Sequence, residues 1–124
     1  MKKINLLILG LSLLVVGLNI AKADTPITTR KPQINNNQVN VWETVIYPSE
    51  NQKLKMHRHE YDRVVVAFDD GILKITNDKG QTHYLKLEKG QSYFLTKDVP
   101  NELHMDENIS QHPIKVIVIE LKNS

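Results

Sequence analysis

Met56-His57-Arg58-His59-Glu60 carries the residue types best suited to chemistry in this chain. On an extended strand side chains alternate between faces, so His57 and His59 point one way and Met56, Arg58 and Glu60 the other. Two imidazoles two residues apart can converge on one ion, and neutral imidazole suits zinc, iron, copper and nickel. Two nitrogens are half a site. A catalytic zinc usually takes three protein ligands, and a non-haem iron site takes two histidines and a carboxylate. The plainer reading is that both rings hydrogen-bond inside a sheet, so further donors have to be found elsewhere in the chain.

Such a pair needs rigid strands beneath it, and the sequence around it reads as strands. Residues 39–47 alternate and end at Pro48-Ser49-Glu50-Asn51, which is turn chemistry. The histidine strand follows at 54–60, then 62–68, apolar on both faces and hence central. Asp69-Asp70-Gly71 fits a tight hairpin, because Asp-Gly supplies positive φ. Strands at 72–76, 81–87, 91–95, 101–106 and 114–121 complete the set, separated by Asn77-Asp78-Lys79-Gly80, Glu88-Lys89-Gly90 and two polar loops. About eight short strands at regular spacing, with no convincing amphipathic helix, imply an all-β fold: an antiparallel barrel or sandwich. Trp42 and Phe94 read as core aromatics, and His83 and His112 as solvated surface residues.

Residues 1–23 stand apart from this domain. A basic start, an almost wholly apolar run from 4 to 20 and Ala21-Lys22-Ala23 have the pattern of a signal peptide cleaved after Ala23. The competing reading is a retained membrane anchor, since the apolar run approaches the ~20 residues that span a bilayer. Cleavage implies a periplasmic or secreted protein with no membrane attachment. Residues 24–38 are polar, with two prolines and Asn35-Asn36-Asn37, and read as a flexible arm or one that orders only against the domain or a neighbour. The domain proper is 39–124. The whole chain has 16 basic and 14 acidic side chains; without Lys2, Lys3 and Lys22 the formal charge becomes 13 − 14 = −1. A near-neutral domain with no basic cluster has no footprint for nucleic acid. The chain has no cysteine, so an exported domain must stand on its core alone. Val116-Ile117-Val118-Ile119 is apolar on both faces, whereas a closed barrel covers one. A homodimer would cover the other, with the arm as a possible swapped element.

With the histidine strand second in a run of about eight, the chain resembles the cupin superfamily of small jelly-roll β-barrels. The first cupin motif, His-x-His followed by a Glu and a Gly, is similar to His57-Arg58-His59-Glu60-Tyr61-Asp62-Arg63 closed by Gly71. The second, opening with Gly and containing a Pro and a His, is similar to Gly90-Gln91-Ser92-Tyr93-Phe94-Leu95 continued through Asp98-Val99-Pro100-Asn101. The likeness covers about 41–121. It implies a single-domain cupin with a degenerate metal motif, since Arg63 stands at the motif Glu position and Asn101 at the second-motif His position. His104 lies three residues beyond Asn101 and would face the opposite way unless a bulge turned it back.

The expected metal ligands are therefore His57 and His59, with His104 or Asp62 as a bulge-dependent third, holding one divalent transition metal (Fe, Mn, Zn, Ni or Cu). Arg63, Asn101 and Tyr93 would line the barrel mouth as ligand-binding residues, suiting a small carboxylate; Tyr93 reads equally as a core aromatic. The expected function is an exported cupin that binds a small ligand with or without metal. A metal-dependent enzyme of dioxygenase or isomerase type and a metal-free interaction module are the alternatives. No catalytic triad, phosphate loop or paired catalytic carboxylates can be argued from spacing alone.

Overall fold

The computed structural model describes residues 16–17 and 27–124. The signal-peptide reading of 1–23 thus falls, apart from Val16 and Gly17, outside the described residues. Alternating burial shows why the strands form. In β4 (Arg63–Ala67), Arg63, Val65 and Ala67 are buried, and Val64 and Val66 lie on the other face. In β9 (Ile114–Leu121), Ile114, Val116 and Val118 do the same. Branched side chains on one face of a pleated strand pack well against neighbours.

The remaining strands are β1 (Thr29–Asn35), β2 (Val39–Ile46), β3 (Leu54–His57), β5 (Gly71–Asn77), β6 (Thr82–Leu87), β7 (Ser92–Leu95) and β8 (His104–Asn108). They build a five-stranded sheet, β1-β2-β9-β4-β7, against a four-stranded sheet, β3-β8-β5-β6. All named strand pairs are antiparallel. Trp42, Ile46, Val65, Ala67, Leu73, Leu87, Ile114, Val116 and Val118 form the core between the sheets. This is the expected all-β jelly-roll, with β1 making nine strands among the described residues rather than about eight. Residues 29–35 of the arm pair with β2 as an exposed edge strand, so the sheet begins ahead of Val39.

Three expectations need correction. Asp69-Asp70-Gly71 is no hairpin, because β4 and β5 belong to different sheets and the segment crosses between them. Gly71 answers a need for space: a Cβ there would meet Ile114 Cδ1 and come within 2.6 Å of Ile114 Cγ1. The hairpin with a positive-φ glycine is β5–β6, closed at Gly80 (φ 79°), where Asn77 Oδ1 accepts from the Lys79 and Gln81 amides. Phe94 is 61 % exposed on the outer face, opposite Val64, and not in the core. The histidine strand stops at His57, and β3 carries a register shift between Leu54 and His57 against β8.

The outer face of the larger sheet holds one apolar row across all five strands: Ile34, Val41, Ile119, Val64 and Phe94 are successive register partners. The two-faced character read from 116–119 is therefore real in the fold: Val116 and Val118 face the core, Ile117 and Ile119 face out.

Candidate metal centre

His57 ends β3, His59 lies two residues on in the loop to β4, and His104 opens β8 directly opposite His57 in the register. One ring nitrogen from each of the three lies within 4.8 Å of the others. The rings touch: centroids are 5.0 Å apart for His57–His59, 4.5 Å for His57–His104 and 5.4 Å for His59–His104. Trp42 stacks parallel to His59 at 6.3 Å, with the Arg30 guanidinium 4.5 Å over its ring. The register shift in β3 is what lets His57 face inward.

Each imidazole spends its Nδ1 on an oxygen. His57 Nδ1 donates to the Lys55 carbonyl at 2.6 Å, His59 Nδ1 to Glu120 Oε1 at 3.1 Å, and His104 Nδ1 faces Asp98 Oδ2 at 3.2 Å. Oxygens that only accept assign the proton to Nδ1 in all three rings, so each Nε2 keeps a lone pair. His57 Nε2 is buried and has no hydrogen-bond partner. An outer oxygen that orients an imidazole and fixes its tautomer is the usual companion of a metal ligand. Burial also favours the neutral form of His59 and His104. It pushes His59 well below the ordinary 6.5, reinforced by Arg63, His57, His104 and Arg30. Burial lowers His104 too, against the raising effect of Asp106 and Asp98.

Asp98, in the loop between β7 and β8, ties the parts together. Its Oδ2 accepts the His59 backbone N–H at 2.6 Å as well as facing His104, its own amide donates to the His59 carbonyl, and its Oδ1 lies 3.9 Å from Arg63 Nη2. Arg63 points into the barrel and donates to the Thr96 carbonyl at 3.1 Å. Burial lowers its pKa, while Asp98, Asp106 and Glu120 raise it. Its cross-strand partner on β9 is Glu120. Glu120 thus lies beside Arg63 and supports His59 from its Nδ1 side.

Of the seven sequence candidates, the structure gathers His57, His59, His104 and Arg63. Asn101 lies in an exposed turn at φ 64°, and the three residues after it bring His104 to the start of β8. Tyr93 is half-buried against the core, and its hydroxyl accepts the Glu88 amide at 2.7 Å, beside the turn that Asp70 caps. Asp62 turns away to accept the Lys97 amide. Sequence reasoning missed Asp98, Asp106 and Glu120. Only the alternation His104-Met105-Asp106 signalled one of them.

A cavity of about 60 Å³ sits under the histidines, lined by Trp42, Thr44, Val65, Leu73 and Val118 among others. That volume holds about two waters. Beside it, where the edges of β6 and β7 leave the sandwich open, lies a cleft of about 580 Å³ that reaches Arg63, Asp98 and His104. Tyr84, Phe94 and Val99 on its walls are each more than 60 % exposed. His83, a surface residue as expected, also lines it.

No protein-family model matches the sequence, and no curated protein matches it. Solved structures do. A cupin domain from Bordetella pertussis Tohama I is 28 % identical over 82 % of this chain and 99 % of its own, with a TM-score of 0.65. An RmlC-like cupin family protein with a double-stranded β-helix fold from Methanocaldococcus jannaschii is 16 % identical over 82 % of this chain and 85 % of its own, at a TM-score of 0.58. The enzyme Fe(II)-HppE, solved with an alternative substrate, shares the fold at 12 % identity and a TM-score of 0.58 over 82 % of this chain and 53 % of its own. Strand order, the inward histidines and these likenesses agree: the chain is a small single domain with the cupin fold, similar to solved cupin domains.

Proposed function

We propose that this protein is an exported cupin that holds a divalent transition metal on His57, His59 and His104 and binds a small organic anion over it. The observation that carries the metal reading is the common tautomer: three Nδ1 atoms are engaged by oxygens and three Nε2 lone pairs remain for one ion. An N3 set of neutral imidazoles suits Fe, Mn, Zn, Ni or Cu. Such an ion supplies Lewis-acid polarisation to whatever binds beside it.

The chain's own residues define the ligand's place. The inner cavity is too small for more than water, so the ligand lies in the cleft between β6 and β7, whose volume falls in the usual range for small-molecule sites. Tyr84, Phe94 and Val99 offer apolar contact there, and Arg63 and Lys97 offset Asp98 and Glu102. A dication on neutral rings makes the floor of a balanced cleft positive, which favours a carboxylate or another anion. Export rests on the leader pattern of residues 1–23. A homodimer rests on the apolar row centred on Ile119.

The test is the metal content of the protein purified without a histidine tag, measured by plasma mass spectrometry before and after chelation. About one equivalent that vanishes in His57→Ala is expected. No metal after incubation with each ion would end the metal reading and leave a metal-free binder built on Arg63.

A further inference from the structure

Among the described residues, Asp106 is the one carboxylate turned toward the free side of the imidazoles. It follows His104 by two residues on β8 and so shares its face. Its Oδ2 lies 3.5 Å from His57 Nε2 and its Oδ1 3.8 Å from His104 Nε2. The side chain is nearly buried and lines the inner cavity together with His57 and His59.

These contacts set acceptor against acceptor. His57 Nδ1 already gives its proton to the Lys55 carbonyl, so a neutral His57 presents a bare Nε2 to Asp106. Nε2 is buried and has no hydrogen-bond partner. A carboxylate oxygen and an imidazole lone pair facing each other away from water repel, and a cation between them removes that cost. Asp98 and Glu120, by contrast, face Nδ1 atoms and stand behind the rings. Resting on the metal reading above, we infer that Asp106 is the fourth protein ligand, and that the centre is a three-histidine, one-aspartate set whose carboxylate comes from β8. Arg63 occupies the β4 position that a carboxylate would otherwise hold, and its guanidinium is committed to Thr96 and Asp98. The motif was relocated to another strand.

The inference is tested with cobalt(II), titrated into the purified protein and into Asp106→Asn, following visible absorption and competition with a chelator. Asp106→Asn should weaken cobalt binding by more than the roughly hundredfold that loss of an outer partner costs at most, and should shift the absorption bands. Wild-type affinity and an unchanged spectrum in Asp106→Asn would overturn the inference and leave the three-histidine site standing. No cobalt binding by the wild type would overturn it together with the metal reading. Should Asp106→Asn fail to fold, X-ray absorption of cobalt-loaded wild-type protein decides: a carboxylate oxygen beside three imidazoles supports the assignment, and imidazoles with water alone refute it.

Discussion

Strand β8 has a buried polar residue at each end, His104 at 7 % exposure and Asn108 at 3 %. Asn108 is fully spent. Its Nδ2 donates to the Ile46 and His112 carbonyls and its Oδ1 accepts the Ser110 amide, all at 2.8 Å. His104 turns Nδ1 to Asp98 and Nε2 to Asp106, with the His57 and His59 rings beside it. Both residues are equally hidden from water, yet one closes a loop while the other leaves a lone pair among lone pairs. Satisfied buried polarity marks structure, and converging unsatisfied acceptors mark a place for a cation.

Substitutions at the two ends should separate these roles. His104→Ala should cost metal affinity well beyond the hundredfold upper range of an outer-partner loss, read by cobalt titration, while urea unfolding of the metal-free protein changes little. Equal loss of stability there would break the contrast. Asn108→Ala should do the reverse, with metal affinity kept and about 3 kcal/mol of stability lost, because one buried and two part-buried backbone groups lose their partner.

Between these extremes stands Asp98, which touches the imidazoles only from behind. Asp98→Asn keeps the shape but weakens the pull on His104 Nδ1, so metal affinity should fall about tenfold to hundredfold with the absorption bands in place. Shifted bands would mean that it ligates directly.

The pH dependence of the metal-free protein sharpens the same point. Burial lowers His59 below its unfolded value, so below pH 6.5 the unfolded chain binds a proton that the folded one refuses. Stability is then fully present above pH 6.5 and falls as pH drops, by about 2 kcal/mol for His59 between pH 6.5 and 5. His59→Gln should flatten that slope in urea titrations at several pH values.

Much of this was legible in the chain. Hydrophobic alternation located the strands from β2 to β9, and His57-x-His59 located one side of the centre, because both are local patterns. Phe94 was misjudged because alternation tells which residues share a face but not which face is inside. The Asp69-Asp70-Gly71 segment was misjudged because hairpins and sheet-to-sheet crossings use the same residues, and only packing against Ile114 shows what Gly71 is for.

Local pattern in the chain suffices for the all-β class, the strand spacing and the paired histidines, since each depends on neighbours a few residues apart. That His104 and not Asn101 completes the cluster follows from the folded chain, through the turn at Asn101 and the register shift in β3. Folding alone brought Asp98, Asp106 and Glu120 from three separate segments to the rings. Register across strands is a property of the closed sandwich, and a one-residue slip reverses every side chain, so no local reading of the chain could contain it.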